Sequence, residues 1–247
     1  MHDILTYPDY FSNVLTVGTT ERGLNFGLYT AKTLLEAEKI KILMASIVKG
    51  LGFRGLVTLK QIHSGLVHFI GNINYKEYLN NSFIEGDGIF TDSKELLLGI
   101  LTADCIPVFY TNDSADIAGI VHAGWKGIKN KIHINIIDRI REKLNIKPES
   151  LHILIGPHIR NCCYEVKKDL IEELGTINFE TRKSSLFLDL EACLTEDLIK
   201  KGVKSENIIK YLKCTKCSEL PHFYSYRGGD MRERMLSFIG IGRQAIF

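Results

Sequence analysis

Residues 96–105 have the sequence LLLGILTADC, in which an unbroken apolar run at 96–101 precedes an acidic residue and a cysteine. A continuous apolar run of this length is typical of a β-strand whose two faces are both covered by other parts of the protein. Asp104 and Cys105 lie just beyond the run. The sequence therefore predicts a buried strand that delivers Cys105 from its end.

A second apolar run, IAGIV at residues 117–121, leads directly into His122. The next segment, AGWKG at 123–127, contains glycines that let the backbone turn closely. Apolar residues then recur at every fourth position, which predicts a helix; they are Ile132, Ile136, Ile140 and Leu144. The predicted order is strand, His122, glycine turn and helix.

His63 lies between two further strand-like segments, residues 56–61 and 66–70. Ser64 and Gly65 follow it, so His63 is predicted at a strand end or in a tight turn. A side chain in such a turn can point away from the sheet.

His63, Cys105 and His122 offer two imidazoles and one thiolate, a borderline-soft set that suits a tetrahedral zinc ion. Three protein ligands leave a fourth position for water, whereas a structural zinc normally has four protein ligands. We therefore predict a catalytic metal held by these residues. Asp104 is the carboxylate inside these motifs, and two roles stay open for it: orientation of an imidazole, or direct proton transfer in catalysis.

Patterns elsewhere in the chain predict a mixture of α and β structure. Two helices are expected near residues 33–50 and 190–202. Further strands are expected at residues 151–155, 187–190, 208–212 and 223–226. No linker, repeat or low-complexity tract interrupts the sequence, so residues 1–247 are expected to form a single domain.

The 247 residues carry a formal net charge of +2. Acidic residues are interspersed with the basic ones, whereas a phosphate-binding face needs clustered Lys and Arg, so a nucleic-acid partner is not supported. No segment approaches the roughly 20 apolar residues of a membrane span, and the N-terminus lacks a basic region followed by an apolar stretch. A cytoplasmic protein without a membrane partner is predicted.

Four of the six cysteines form two pairs in the sequence. Cys162 and Cys163 are adjacent, so in a strand their side chains point to opposite faces and cannot both bind one metal. Cys214 and Cys217 have the spacing of a redox motif or of half a zinc ribbon, and without a second half we predict a structural role.

Three histidines outside the metal-binding motifs need a separate interpretation. His68 and His152 lie in apolar segments and are predicted to be structural. His158 follows Gly156 and Pro157, and it either lines the site or is a solvated loop residue.

Several motifs, taken together and in order, resemble those of the YfiH-like family, also called multicopper polyphenol oxidases or laccase-domain proteins. They are KQIHS (60–64), GDGI (86–89), LTADCIPV (101–108), VHAGWKG (121–127), IGPHI (155–159), CCYEV (162–166) and FYSYR (223–227). The resemblance covers about residues 14–241. Members of this family are regarded as zinc-dependent purine nucleoside enzymes.

The resemblance implies an α+β fold, a four-layer α/β/β/α sandwich with mixed sheets, and zinc bound by His63, Cys105 and His122. It also implies phosphorolysis of adenosine, inosine, guanosine and 5′-methylthioadenosine, and deamination of adenosine. The family's N-terminal Arg- and Gly-rich stretch is contracted here to TTERGLNFG at residues 19–27. Arg22 and Asn25 of this stretch are the residues expected to hold phosphate or sugar.

Two further residues are expected to contact a purine nucleoside and phosphate. Arg227 lies between an aromatic segment and two glycines, and a guanidinium presents the parallel donors that suit a phosphate; the alternative is a surface ion pair. Trp125 lies beside the predicted ligand His122 and is expected to stack on the purine. Phe223, Tyr224 and Tyr226 have a weaker claim, because aromatic residues in strands are more often part of a core.

Three other functions stay open at this point. A cysteine hydrolase would use Cys105 as nucleophile and His122 or His63 as base, and an enzyme that edits a peptidoglycan precursor belongs to this class. A zinc-stabilised binding module is less favoured, because the motifs supply three ligands and not four. A copper polyphenol oxidase, with copper in place of zinc, is disfavoured because a multicopper site needs many His and the chain has eight, most of them outside the motifs.

Overall fold

The computed structural model describes residues 4–7, 15–71, 75–80 and 84–242. The strands in this part of the chain are β1 (Ile4–Thr6), β2 (Leu15–Thr20), β3 (Gly55–Thr58), β4 (Val67–Phe69), β5 (Gly88–Thr91), β6 (Leu96–Thr102), β7 (Ile106–Asn112), β8 (Ala118–Ala123), β9 (Leu151–Ile155), β10 (Glu165–Val166), β11 (Phe179–Arg182), β12 (Ser185–Leu188), β13 (Ile208–Lys210) and β14 (Met235–Ile241). The helices are α1 (Leu34–Gly50), α2 (Tyr75–Asn80), α3 (Trp125–Lys129), α4 (Ile132–Leu144), α5 (Lys168–Leu174) and α6 (Leu190–Lys200).

The strands form three sheets. A five-stranded sheet has the order β1-β2-β14-β6-β3, in which β3 and β6 are parallel and the other pairs antiparallel. A six-stranded sheet has the order β13-β9-β7-β8-β5-β4 and combines parallel and antiparallel pairs. A small antiparallel sheet has the order β10-β12-β11. The prediction of mixed sheets is confirmed.

The two large sheets pack face to face with helices outside. Leu98 and Ile100 of β6 share one buried cluster with Ile120 of β8, so this cluster fills the space between the sheets. Helix α1 covers the outer face of the five-stranded sheet, where residues such as Met44 contact a separate cluster. Helices α4 and α6 cover the outer face of the six-stranded sheet. The layers are therefore helix, sheet, sheet and helix, as the resemblance implies.

Helix α1 begins where its sequence provides a cap. The Thr33 side chain accepts a hydrogen bond from the backbone N–H of Glu36, and the Glu36 carboxylate accepts one from the backbone N–H of Lys32. This satisfies backbone donors that have no partner within the first turn. The helix expected near residues 33–50 is thereby confirmed, and α6 likewise confirms the helix expected near residues 190–202.

Strands β6, β8 and β9 confirm the three buried strands expected from apolar runs. The single helix predicted after Trp125 is two helices, because Lys131 has a left-handed backbone with φ of 56° that separates α3 from α4. Strand β12 ends at Leu188 because Asp189 accepts a hydrogen bond from the backbone N–H of Ala192 and caps α6. The strand expected at residues 208–212 ends at Lys210.

The strand predicted at residues 223–226 is wrong. Phe223 and Tyr224 are buried in a small cluster with Ala103 and Met235 but do not pair with a strand, and a short 3₁₀ turn covers Tyr226–Gly228. The strand in this region is β14, which the sequence analysis did not predict and which is buried along its whole length. It lies between β2 and β6, so distant segments of the chain share one sheet.

The connection between β6 and β7 positions the candidate site. Strand β6 belongs to the five-stranded sheet and β7 to the six-stranded sheet, so the chain crosses between the two layers at residues 103–105. Cys105 lies in this crossing, and His122 lies near the end of β8 in the second sheet. Over the described parts of the chain, no helix has both the length and the apolar character needed to cross a membrane.

Candidate active site

The structure brings His63, Cys105 and His122 together. One donor atom from each residue lies within 4.8 Å of the other two. The two imidazole rings meet edge to face, with centroids 4.7 Å apart and an angle of 69° between their planes. We call these residues the three-donor cluster. The predicted grouping of three sequence-distant residues is therefore present in the fold.

The loop that carries His63 is fixed against β6. The Gln61 side-chain amide donates to the carbonyl of Leu101 at 2.8 Å and accepts from the backbone N–H of the same residue at 2.7 Å. His63 itself has a left-handed backbone with φ of 58°. The predicted turn is confirmed, and it is held in a conformation that non-glycine residues adopt rarely.

Asp87 is the residue that organises the cluster, and no role for it was predicted from the sequence. Its buried carboxylate accepts hydrogen bonds from His122 Nδ1 at 2.9 Å, from the backbone N–H of His63 at 3.0 Å and from that of Ser64 at 2.5 Å. Because Nδ1 of His122 is bonded to Asp87, Nε2 is the nitrogen left to bind a metal. The sequence signal was a carboxylate between two glycines at the start of a buried strand.

Cys105 and His122 shift each other's pKa. Burial acts to raise the pKa of the Cys105 thiol, but His122 and His63 outweigh it and lower this pKa to about 6. Burial acts to lower the pKa of His122, but the Cys105 thiolate and Asp87 raise it to about 9. Between these values, and without a bound cation, the two side chains form a thiolate and imidazolium pair. The thiolate is the form of cysteine that binds metals.

Gly124 leaves room beside the three donors. A Cβ atom at this position would lie 2.8 Å from the Cys105 Sγ and 3.2 Å from Cδ2 of His63. The backbone of Gly124 is extended, with φ of −78°, so this glycine is needed for space and not for its backbone conformation. Two imidazoles and one thiolate with open space next to them fit a catalytic metal with one exchangeable position. The cluster is therefore a candidate metal site.

Asp104 does not orient an imidazole, so that expectation is wrong. Its carboxylate accepts from Thr215 Oγ1 at 2.6 Å and from the backbone N–H of Arg227 at 2.7 Å. The side chain is buried, and the backbone has φ of 94°. Asp87 bonds to His122 instead, while Asp104 ties the crossing between the sheets to the segments that contain Thr215 and Arg227.

The three-donor cluster lies in the wall of a cleft of about 490 Å³, a size that suits a small organic ligand. The predicted residues Asp104, Trp125 and Arg227 also line it. Four other residues add aromatic rings and a second guanidinium to the lining; they are Tyr29, Tyr164, Tyr226 and Arg234. Of these, only Tyr226 was considered from the sequence, as a weak candidate for stacking. Phe223 and Tyr224 are core residues and do not line the cleft.

Arg227 reaches the cleft across an aromatic ring. Its Cζ lies 5.0 Å from the centroid of the Tyr164 ring, and Nη1 donates to the carbonyl of Glu165 at 2.7 Å. The interpretation as a surface ion pair is not supported, because these contacts are made with a ring and a carbonyl. Burial raises the pKa of Tyr164 to about 12, with the charge of Cys105 adding to the shift.

Arg22 and Asn25, which the resemblance assigned to phosphate or sugar, lie outside the described lining of the cleft. The two guanidinium nitrogens of Arg22 donate to Asp230 at 2.9 and 2.7 Å. The side-chain oxygen of Asn25 accepts from the backbone N–H of Gly27 at 2.8 Å and from that of Arg234 at 3.1 Å. Both residues therefore shape the loops next to the cleft, since Gly27 and Arg234 line it.

The other histidines have structural contacts. His68 bonds to the Tyr78 hydroxyl and to the carbonyl of Glu85, which confirms its predicted role. His152 bonds to Asp113. His158 is 1% exposed, so it is not a solvated loop residue, and it lies outside the described lining of the cleft.

Cys162 and Cys163 occupy a turn and not a strand, so the conclusion that they cannot approach one metal is wrong. Their sulfur atoms lie within 4.8 Å of each other and of those of Cys214 and Cys217. The two cysteine pairs that looked unrelated in the sequence therefore form a second group of donors.

Known proteins are similar to this chain in sequence. A purine nucleoside phosphorylase of Clostridium acetobutylicum is 34% identical over 238 residues, which cover 94% of this chain and 92% of the relative. A purine nucleoside phosphorylase of Aquifex aeolicus is 35% identical over 158 residues, covering 64% of this chain and 72% of that protein.

Two solved structures superpose on nearly the whole chain. The hypothetical protein YfiH of Bacillus licheniformis has a TM-score of 0.83 and 25% identity, covering 97% of this chain and 96% of the other. YlmD from Geobacillus stearothermophilus has a TM-score of 0.85 and 24% identity, covering 98% and 97%, and shows the shared fold. Residues 20–242 match the family described as multi-copper polyphenol oxidoreductase laccase. The chain therefore belongs to this laccase-like family, which includes the YfiH-like proteins.

Proposed function

We propose that the protein is a zinc-dependent purine nucleoside phosphorylase that also deaminates adenosine. One observation carries the proposal: the three-donor cluster lies in the wall of a cleft that also presents two guanidinium groups and several aromatic rings. Relatives named purine nucleoside phosphorylase support the same conclusion. The substrates expected from the family resemblance are adenosine, inosine, guanosine and 5′-methylthioadenosine.

Zinc is the proposed metal, with His63, Cys105 and His122 as its ligands. Zinc bound by three protein ligands polarises a substrate oxygen or lowers the pKa of water to about 7. The Asp87 carboxylate holds the ring orientation of His122, and the Cys105 thiolate is already favoured before a cation binds. Copper is less favoured because a multicopper site needs many histidines, and the described lining of the cleft includes two, His63 and His122.

Phosphorolysis requires the protein to place an anion next to the ribose. An oxygen of phosphate bonds to C1′ while the bond from C1′ to the purine nitrogen breaks, and the electron pair of that bond passes to the purine. Arg227 and Arg234 line the cleft and are proposed to hold the phosphate, since guanidinium groups present paired donors to an oxyanion. Trp125 and Tyr226 offer faces on which the purine stacks.

Deamination requires proton movement and no phosphate. Water adds to C6 of adenosine and ammonia leaves, so one group must move a proton from the water to the leaving nitrogen. Asp104 is the proposed group, because it is a carboxylate in the wall of the cleft. Its bonds from Thr215 and Arg227 use about two of roughly four acceptor positions, which leaves positions for a substrate proton.

A nucleoside panel assayed with and without phosphate tests the proposal. We expect ribose 1-phosphate and free purine base only when phosphate is present, and inosine and ammonia from adenosine in either condition. Zinc removal with a chelator is expected to abolish both reactions, and added zinc to restore them. Release of base at the same rate without phosphate would contradict phosphorolysis.

A second candidate, a cysteine hydrolase, is favoured by one feature of the site. Asp87, His122 and Cys105 have the relationship of an orienting carboxylate, a base and a thiol nucleophile. Activity that survives complete zinc removal, and is abolished by alkylation of Cys105, would favour this function. Loss of activity when zinc is removed would exclude the cysteine hydrolase, because the Cys105 thiolate would then be free and yet no reaction would occur.

A further inference from the structure

Four cysteine sulfurs gather outside the cleft. Cys162 and Cys163 precede β10, and Cys214 and Cys217 follow β13. All four sulfur atoms lie within 4.8 Å of one another, and the Cys162 and Cys217 sulfurs are 3.6 Å apart. Sulfur atoms around a tetrahedral zinc, each about 2.3 Å from the metal, are separated by roughly 3.8 Å. We call these residues the four-cysteine cluster, and their spacing is close to that of a zinc tetrathiolate.

The backbone around Cys214 supports a thiolate. Its sulfur accepts hydrogen bonds from the backbone N–H groups of Arg160, Lys216 and Cys217. The carbonyl of Cys214 accepts from the backbone N–H of Ser218 at 3.1 Å, which closes a tight turn between the two cysteines. The turn presents both sulfurs to one point.

Disulfide formation is the alternative use of four thiols. Adjacent Cα atoms are about 3.8 Å apart, shorter than the roughly 4.4 to 6.8 Å of an ordinary disulfide, so Cys162 and Cys163 do not pair with each other. A disulfide would therefore join either Cys214 to Cys217, which have the spacing of a redox motif, or one cysteine from each loop. Thiolates this close repel one another, and a bound cation compensates their charges.

We infer that Cys162, Cys163, Cys214 and Cys217 form a second zinc site, in which each thiol releases its proton and binds the metal through sulfur. All four ligand positions are filled by protein, so this site has no place for water or substrate and its role is structural. The inference rests neither on the metal at the three-donor cluster nor on the proposed reaction.

The second zinc site would position one wall of the cleft. Thr215 lies between Cys214 and Cys217, and its hydroxyl donates to Asp104 at 2.6 Å. Tyr164 follows Cys163 and lies under the guanidinium of Arg227, which also bonds to the carbonyl of Glu165. The metal would therefore join the two loops that hold Asp104 and Arg227 in place.

Metal analysis of the purified full-length protein and three variants tests the inference. We expect about two zinc ions per chain in the unmodified protein, and about one in both Cys217→Ser and His63→Ala. Cys193→Ser is the matched control, because Cys193 is a half-buried thiol outside both clusters, and it is expected to keep both ions. Cobalt substitution adds a spectroscopic readout: absorption typical of a tetrathiolate should persist in His63→Ala and disappear in Cys217→Ser.

Differential alkylation of the unmodified protein gives a result that does not depend on how a variant folds. Cys162 and Cys217 are exposed, yet we expect them to resist iodoacetamide in the native protein and to react after a chelator removes zinc. Undiminished zinc in folded Cys217→Ser would overturn the inference. Cysteines that react in the denatured protein only after a disulfide reductant is added would also overturn it, because they would be in disulfides. Iron found in place of the second zinc would do the same.

Discussion

The three-donor cluster and the four-cysteine cluster use similar ligands in opposite surroundings. The first takes its donors from segments attached to both large sheets, is supported by the buried Asp87, and faces the cleft. The second takes four thiols from two loops and lies outside the described lining of the cleft. An open coordination position is found only where the protein supplies fewer than four ligands.

This difference suits the two proposed roles, catalysis at the first cluster and stabilisation of the structure at the second. His63, Cys105 and His122 are held by sheet hydrogen bonds and by Asp87, so their arrangement does not depend on the metal alone. The four cysteines lie on two loops, which are also joined by a hydrogen bond from the backbone N–H of Thr215 to the carbonyl of His158 at 3.0 Å. We expect loss of metal from the first cluster to abolish activity with little effect on the fold, and loss from the second to loosen one wall of the cleft.

Replacement of His122 by Ala should give the largest effect. Two ligands do not hold zinc tightly, and the transition state loses several kcal/mol of stabilisation, so phosphorolysis should fall by about 10³-fold or more. Zinc at the four-cysteine cluster should stay bound. Steady-state kinetics and metal content measure both effects. His152→Ala, a partly exposed histidine bonded to Asp113, is the control; wild-type activity in His122→Ala would contradict the assignment.

Replacement of Asp87 by Asn should weaken the three-donor cluster without removing a ligand. The amide of asparagine carries no negative charge, and its NH2 group cannot accept the hydrogen bonds that a carboxylate oxygen accepts. We therefore expect zinc affinity at this cluster to fall by about 10- to 100-fold. Competition with a chromophoric chelator measures the affinity. Ser64→Ala, which removes a bond of 2.7 Å to Asp87, should have a smaller effect in the same direction. Equal affinity in Asp87→Asn and wild type would show that the carboxylate does not support the site.

Replacement of Arg227 by Lys should separate the two proposed reactions. Lysine keeps the charge but loses the paired donors and the planar contact with Tyr164, so the KM for phosphate should rise by about tenfold. Deamination of adenosine should change much less, because it uses no phosphate. Arg22→Lys, outside the cleft, is the matched control. Equal losses in both reactions would place Arg227 in general substrate binding or in folding.

The smallest expected effect concerns His133, a second buried histidine that can be compared with His122. Both histidines are buried and hydrogen-bonded to an aspartate. Burial lowers the pKa of His133 from its ordinary value of 6.5. The hydrogen bond from His133 in turn lowers the pKa of Asp197 to about 2. The unfolded chain therefore binds more protons than the folded protein as pH falls below 6.5 and again below 3.8. The free energy of unfolding should fall in both windows.

Urea unfolding between pH 7 and 3 measures this dependence. In Asp197→Asn the loss below pH 3.8 should shrink by roughly 1 kcal/mol, since Lys131 and Asp197 are partly solvated. An unchanged pH dependence in this variant would mean that the pair does not link protonation to folding.

The features that the sequence predicted are those that depend on local pattern. The apolar run of β6 and the run before His122 are long enough to identify buried strands without knowledge of their neighbours. Glycines beside His63 and His122 likewise indicated tight turns. These local patterns were sufficient to predict the three donors, and the resemblance to a known family predicted the layers.

The features that the sequence did not predict depend on distant contacts. Strand β14 was missed because the aromatic residues at 223–226 have the stronger strand composition, although they are buried without pairing. The role of Asp87 follows from its meeting with His122, and that of Asp104 from its meeting with Thr215. The four-cysteine cluster joins pairs about 50 residues apart, which no local spacing predicts.

The position of β14 also affects the order in which the molecule is assembled during synthesis. Strands β2 and β6 both hydrogen-bond to β14, so neither is fully paired on that side until residues 235–241 have been added. Most of the six-stranded sheet, by contrast, needs no segment beyond residue 155. A nascent chain that has passed residue 155 can therefore already pair β8, which carries His122, while β6, which leads to Cys105, still has an open edge. Pairings over such long sequence separations form slowly, so the three-donor cluster is expected to be completed late in folding.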